Sequence, residues 1–456
     1  MAGEKRRIRD PIHGLIVFDF GNSVDKLAWK LIQTKEFQRL RRIRQLGVSE
    51  LVFPSATHTR FAHSIGVFHN ARKLMGVIKR RLGEDFNKVR AKEVLIAALL
   101  HDLGHGPFSH AFEAARELLA KGKPIEKHEK FTAKLIRAED GDVFKVLSQE
   151  EGGQELIENI ARLIELDNPV DIYHAVVSSS FDADRLDYLE RDRYMTGTKS
   201  GTIDYDWLID NLTTTSVKVS QDDDEEPEII ETFVFKNKGR QAAEDFLLAR
   251  FRLFTQIYLH KTTRGFEKLI SALICRLGES QESAESLGLE SDNTLLKFLA
   301  EGGDTIENYR ELDDYNVLST FERLAASCKD RHIRQLAKKL VEREPLKVLD
   351  VSARYGPSEV DVKNAVKNLN EHVGDKLGKT VFCDRVPYRF YSRSDGEAEK
   401  AHKTLRVKQN DGTSKEVTKF DDTIISSRLT ENIELIRFYF LTLEEKTTAE
   451  KHMKGE

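Results

Sequence analysis

The most constraining stretch of this sequence is Val94-Leu95-Ile96-Ala97-Ala98-Leu99-Leu100, followed at once by His101-Asp102. A helix over 91–102 is apolar nearly all round, so it has no face for solvent and other elements must surround it. That requires a sizeable core, which 456 residues can supply. An imidazole and a carboxylate at the end of such a helix are costly to bury unless they are paired or hold a metal. Gly104, Gly106 and Pro107 then break the helix. The pattern predicts a helical domain with polar chemistry at its centre.

Apolar positions at helical spacing predict further helices over 23–45, 61–82, 109–121, 127–138, 153–166, 171–178 and 182–194. Ser23 suits an N-cap and Gly47 a stop. The period changes over 212–238. Val217 and Val219 alternate with polar residues, Thr232 to Phe235 favour strand, and Asp222-Asp223-Asp224-Glu225-Glu226-Pro227 lies between. This reads as a hairpin with a solvated acidic tip. A long amphipathic helix is expected over 239–276, then charged helices from 281 to 345. Alternating stretches at 380–392, 403–408 and 415–420 surround the turn Asn410-Asp411-Gly412, and a helix near 429–443 is expected to close the chain. The expected fold class is mainly α, a helical core with a β-hairpin insertion and a small α+β C-terminal region. The boundary falls near 350, giving regions 1–350 and 351–456, the second supporting oligomerisation.

Composition removes several classes. Lys and Arg number 72 against 76 Asp and Glu, for a net charge of −4. That is neither a polycation for bulk nucleic-acid binding nor an acidic tail. No apolar run approaches the ~20 residues of a membrane helix, and MAGEKRRIRD has no apolar core after its basic residues, so no secretory leader is expected. Three scattered cysteines, Cys275, Cys328 and Cys383, exclude a disulfide scaffold or Cys-rich zinc module. A reducing cytoplasm is the expected location, with no membrane partner.

Histidines carry the chemistry. His58, His63, His69, His101, His105, His110 and His128 are half of the 14 in the chain, where even spreading would place about two. His101 and Asp102 point roughly 100° apart on a helix and can grip one ion from two sides. His63 could add a nitrogen and Asp184 an oxygen. Such a thiolate-free N/O set suits Fe²⁺, Mn²⁺ or Zn²⁺. Taken by pattern, a structural His–Asp pair and a metal site both stay open.

Longer motifs go further. Asp10-Pro11-Ile12-His13-Gly14, Glu36-Phe37-Gln38-Arg39-Leu40-Arg41, Arg60-Phe61-Ala62-His63-Ser64-Ile65-Gly66, the whole His101–His110 block, Asp182 to Asp192 and Arg250 to Lys261 resemble the HD phosphohydrolase superfamily. Within it they are most similar to the deoxynucleoside triphosphate triphosphohydrolases of the SAM-and-HD-domain branch. The resemblance covers about 6–265, with no SAM domain recognisable ahead of it. It implies an HD helical core and cleavage of dNTPs to deoxynucleoside and inorganic triphosphate, controlling deoxynucleotide pools. It also implies one divalent transition metal on His63, His101, Asp102 and Asp184, with Mg²⁺ on the substrate phosphates. His110 and His128 correspond to catalytic histidines, with Glu113 where the family has Asp. Arg60, Arg185, Arg250, His105 and Tyr188 correspond to phosphate contacts, Arg185 standing where relatives carry Lys. Gln45, Asp192 and Tyr258 correspond to sugar contacts. Leu46 and Tyr258 would crowd a 2′-hydroxyl, and Leu259 stands where the family has Gln.

Relatives assemble as tetramers switched by nucleotides at subunit interfaces. A homotetramer or dimer of dimers is therefore expected, with Gln38, Arg41 and Lys261 at the activator position. Gln33 replaces the acid that would read guanine, and His260 a neighbouring Lys, so GTP activation is not expected; a dNTP activator or none is left open. The rival readings are another HD phosphohydrolase (phosphodiesterase, nucleotidase or (p)ppGpp hydrolase) and, less favoured, a nucleic-acid-binding protein using Arg39–Arg44. A solvated basic helix face is the bland alternative for those arginines.

Overall fold

The computed structural model describes residues 4–166, 170–199, 201–219, 228–301, 305–355, 359–389, 404–425 and 432–454. The apolar run forms the Lys88–Leu100 helix, begun by Asn87, whose side chain accepts from the backbone N–H groups of Val89 and Arg90. Val94, Ile96, Leu99 and Leu100 are fully buried. Each such side chain contributes about 1.5–3 kcal/mol by leaving water. The helices Arg60–Leu82 and Gly153–Glu165 pack against it, and His128–Arg137 packs on the latter. Arg60–Leu82 also packs along Ala183–Thr196. The fold is mainly α, with small sheets at its edge.

Two expected long helices are broken. Residues 23–45 divide into Ser23–Ile32 and Lys35–Arg39, because Thr34 turns extended and caps the second helix through Phe37 N–H. The apolar period continues through the break, so periodicity conceals it. Residues 239–276 divide into Arg240–Leu253, a π-helical turn Phe254–Tyr258 and Lys261–Glu279, parted at His260, which is extended at ψ 123°. Over 171–178 only the 3-10 turn His174–Val176 forms.

Strands β1 (Lys5–Asp10) and β2 (Gly14–Asp19) form a hairpin. The expected insertion is the hairpin β3 (Leu212–Val219) and β4 (Glu228–Phe235); its acidic tip, 222–227, lies outside the described residues. Later come β5 (Lys347–Asp350), β6 (Val381–Arg389), β7 (Arg406–Lys408), β8 (Ser414–Glu416) and β9 (Asn432–Phe440). They build two sheets, in the orders β3-β4-β7-β8 and β5-β9-β6. Phe235 of β4 pairs in parallel with Val407 of β7, so the hairpin and the C-terminal segment share a sheet.

The helix expected near 429–443 is a correction. Residues 432–440 are the central strand β9, and the closing helix is Leu443–Met453. Ile436, Phe438 and Phe440 enter one core with Leu369 and Met453, while Tyr439 joins another with Phe266 and Leu346. Such period-2 division between two cores needs a strand.

The solvated basic face holds only for Arg41 and Arg42, which are exposed. Arg39 is buried and donates to the carbonyls of Leu312 (2.8 Å), Leu103 (3.2 Å) and His105 (3.0 Å). Arg42 pairs with Asp313 and Arg44 with Glu50. Arg41 lies over the Phe61 ring at 3.5 Å. All four cations thus have partners within the chain, Arg39 alone being fully enclosed. No described helix is long and apolar enough to cross a membrane.

Candidate active site

His63 stands inside the Arg60–Leu82 helix, and His101 and Asp102 directly follow Lys88–Leu100. Asp184 opens the Ala183–Thr196 helix, which Asp182 caps through Arg185 N–H. Packing these helices together brings His63 Nε2 to 3.0 Å from Asp184 Oδ1 and 3.8 Å from Asp102 Oδ2. His101 Nε2 lies 3.3 Å from Asp102 Oδ1 and 3.9 Å from Asp184 Oδ1. Four residues from three segments thus converge.

Hydrogen bonds aim the ring nitrogens. His101 Nδ1–H donates to Ala98 O at 3.0 Å, leaving Nε2 buried and without a hydrogen-bond partner. His63 Nδ1–H donates to Asp187 Oδ2 at 2.8 Å, leaving Nε2 toward Asp184. Burial opposes charge on His63, yet hydrogen bonds to Asp184 and Asp187 hold it up to about 10. So much negative charge around one imidazole marks a place suited to a cation. His63, His101 and Asp184 present ligand atoms within 4.8 Å of one another. The orphaned nitrogen and the N/O donor set fit a divalent metal ion. Asp102 divides its oxygens: Oδ2 accepts from Arg60 Nη1 at 2.6 Å, and His105 Nε2 lies 3.2 Å from Oδ1.

Support comes from residues with no assigned role in the sequence reading. Asp187 accepts from His13 Nε2–H (2.6 Å), Arg191 Nε–H (2.7 Å) and Arg191 Nη2–H (2.9 Å) as well as from His63. Arg191 also donates to Asp10 at 2.8 Å, so the segment Asp10–His13 is tied to the HD cluster through Asp187 and Arg191. Gly66 makes room for this network, since a Cβ there would lie 1.8 Å from Asp187 Oδ1. The available signal was spacing: Asp187 falls three residues after Asp184, on the same helix face.

A second cluster stands beside the first. Glu113 accepts from His128 Nδ1–H at 2.8 Å and from His110 Nδ1–H at 3.2 Å, so one carboxylate joins both expected histidines. His105 stacks on His128 at 3.8 Å between centroids. Burial disfavours charge on both His128 and Glu113, but the hydrogen bonds from His110 and His128 hold Glu113 far below the carboxylate range, and the bond to Glu113 raises His128. His110 remains exposed.

Both clusters open on one cavity of about 450 Å³, of the size that takes a small ligand. Its lining includes Gln45, Leu46, Arg60, His105, Tyr188, Asp192 and Tyr258. Asp192 is locked by His58 Nε2–H (2.7 Å) and Tyr258 OH (2.6 Å), and His58 again had no assigned role. Thr263 Oγ1 and Gln45 Oε1 are buried there without partners. Arg185 and Arg250 do not line the cavity. Arg185 pairs with Asp182 and donates to Ser179 O at 2.8 Å, while Arg250 lies near Phe254. Both cations act on Tyr188, whose hydroxyl is nonetheless raised by burial.

Of the expected activator residues, Gln38 and Arg41 touch each other, with Arg41 Nε–H donating to Gln38 Oε1 at 2.7 Å. Gln38 also donates to Ile32 O at 2.6 Å. Lys261 is exposed at the start of its helix, and Gln33 is exposed at the end of Ser23–Ile32.

Packed helices that bring His63, His101, Asp102 and Asp184 around one point, a group that could hold a metal ion, match the HD-type phosphohydrolases. The HD domain family model matches residues 60–191, the span from Arg60 to Arg191 that holds all four converging residues. The uncharacterized protein YwfO of Bacillus subtilis is 31% identical over 403 residues, 86% of this chain and 83% of that protein. A Dictyostelium discoideum protein named as a deoxynucleoside triphosphate triphosphohydrolase SAMHD1 homolog is 34% identical over 276 residues, 58% of this chain and 48% of its own length. The crystal structure of a phosphohydrolase from Bacteroides thetaiotaomicron matches with a TM-score of 0.71 at 25% identity, covering 96% of this chain and 100% of that one. The chain belongs to the HD-domain family.

Proposed function

We propose that the protein hydrolyses dNTPs to a deoxynucleoside and inorganic triphosphate. The observation that carries this reading is the single cavity joining the HD cluster, the Glu113-linked histidines and a set of sugar-sized polar contacts. Names of the SAMHD1-like relatives point the same way. His63, His101, Asp102 and Asp184 would hold the metal, which when bound polarises the phosphoryl group. Water attacks the α-phosphorus, the P–O5′ bond breaks, and the 5′ oxygen must take up a proton. His110 supplies it and is restored by the proton that the attacking water sheds, while Glu113 holds His110 and His128 in place. Arg60, His105 and Tyr188 face the triphosphate, with Arg185 and Arg250 contributing from farther out. Gln45, Asp192 and Tyr258 hold the sugar, and Leu46 with Tyr258 excludes a 2′-hydroxyl.

A homotetramer with Gln38, Arg41 and Lys261 near a subunit interface belongs to the same proposal. Gln33, exposed at the end of Ser23–Ile32, stands where a carboxylate would receive guanine's two N–H donors, so GTP is expected to activate weakly or not at all. The test is to offer all four dNTPs, singly and in pairs, with Mn²⁺ and with Mg²⁺, and to resolve the phosphate product. Triphosphate supports the reading. Orthophosphate or pyrophosphate as first product would move the protein to another HD phosphohydrolase activity.

A further inference from the structure

The loop Gly104–Ser109 joins the metal-bearing helix to the helix of His110. Phe108 and Ser109 both have positive φ, 54° and 49°, a region that residues with side chains leave unless held. Ser109 does not cap the helix that follows; its Oγ accepts from Arg60 instead, at 2.8 and 3.1 Å. The front of the loop is held at several points. Thr132 Oγ1 accepts from Gly104 N–H at 2.9 Å, Tyr309 OH donates to Gly104 O at 2.6 Å, and Arg39 reaches Leu103 O and His105 O. The strained end is held by a residue from far along the chain. Asp314 Oδ1 accepts from Phe108 N–H at 2.8 Å, and its other oxygen, Oδ2, accepts from Arg44 N–H at 2.8 Å. Arg44 bridges Thr59 and immediately precedes Gln45. The two backbone segments meet closely, since a Cβ on Gly47 would lie 3.3 Å from Phe108 O. Asp314 is itself buried, at the first turn of the Asp314–Ser327 helix. Burial pushes its carboxyl up to about 6, against the pull of those two N–H bonds and of Arg44 and Arg60.

We propose that Asp314 is a positioning residue: one carboxylate ties the Gln45 side of the cavity to the strained loop that presents His105 and His110. The proposal rests on the reading of those histidines as groups that act on substrate. It accounts for a buried acid whose two oxygens serve two different backbone segments, where an amide could serve only one.

The test compares D314N, D314A and Y309F with the wild type. Asn keeps one tether and turns an NH₂ toward the other N–H. D314N should lower kcat by about 10- to 100-fold while KM stays within about threefold, because a misplacement on the order of 1 Å suffices for that loss. Metal stoichiometry and cooperative unfolding should be unchanged. Hydrogen exchange at Phe108 and Arg44 should quicken by at least about tenfold in D314N. Y309F, which releases only Gly104, should leave those two amides protected. If the wild type proves to cleave another phosphoester, the dNTP reading falls, but kcat is then compared on that ester and the exchange measurement stands. D314N with kcat within twofold of wild type, or unchanged exchange at both amides, overturns the proposal. So does loss of metal or of cooperative unfolding in both Asp314 variants, since Asp314 would then serve the fold as a whole.

Discussion

The two histidine clusters in the cavity are built by opposite means. His63, His101 and Asp184 stand on or directly beside helices packed through the core, and Asp187 buttresses them from the same helix as Asp184. His110 and His128 stand at the first residues of their helices, and His110 follows two residues with positive φ. Regular helices hold the metal half, so its geometry follows from core packing. The half joined by Glu113 depends on side chains that pin irregular backbone. Functional precision is therefore stored in the hydrophobic core on one side and in a few tertiary hydrogen bonds on the other.

The comparison breaks most directly at Asp184. D184A removes an expected ligand whose side chain is partly open to solvent, so it should abolish bound metal and turnover without unfolding the chain. Metal analysis with a melting curve checks this; a fully metallated, active variant would sink the assignment of the metal half. The opposite case is L99A, which empties a fully buried site in the helix ahead of His101. It should cost about 2–5 kcal/mol of stability, read from the shift in urea midpoint, and lower metal affinity only through that loss.

Glu113 tests the second half. E113Q should reduce kcat by about 10- to 100-fold with metal content intact. Its stability signature has a defined pH window. Glu113 has a lowered folded pKa, so its contribution is present above the ordinary value near ~4.3 and fades as pH falls through the folded value. His128 has a raised folded pKa, so its contribution is complete below about 6.5 and is lost as pH rises through the folded value. The stability gap between wild type and E113Q should be widest between about pH 4.5 and 6.5. Urea titrations across pH decide it; a flat gap would mean the pair is not coupled.

Smaller effects sharpen the picture further from the chemistry. GTP as substrate should be poorer than dGTP by at least about tenfold in kcat/KM, and L46A should narrow that ratio. Comparable values for the two nucleotides would remove the steric account of Leu46 and Tyr258. The smallest change is expected from an effector. Adding GTP should alter dATP hydrolysis by less than about twofold, because Gln33 lacks the charge to receive two guanine N–H donors. A large rise coupled to tetramerisation in sedimentation would show that another residue supplies that contact.

Much of the site was legible because its residues are local in sequence. His101-Asp102 follows an apolar run, and the block through His110 has few structural explanations for so many imidazoles. His63, Asp184 and Tyr258 came through longer motifs shared with the HD family. The supporting residues were harder to see. His13 and His58 act only through carboxylates more than a hundred positions away, Asp187 and Asp192, which local pattern does not expose. Arg39 to Arg44 read as a basic face because charge alone cannot say whether carbonyls and acids await it. The strand β9 was missed for a related reason: Ile433 to Phe440 is apolar enough for a buried helix, and only pairing on both sides selects a strand.

A helical core enclosing the Val94–Leu100 run, with imidazole and carboxylate groups at its end, follows from the order of residues alone. Both follow from short-range rules, the cost of exposing apolar surface and the cost of burying unpaired polar groups. Tertiary structure decided where the long helices break and that Asp187 carries His63. It also decided that Asp314, some two hundred residues beyond His110, holds the loop of that histidine. Those outcomes depend on which distant backbone groups are brought within hydrogen-bond reach, and no local period or composition encodes that distance.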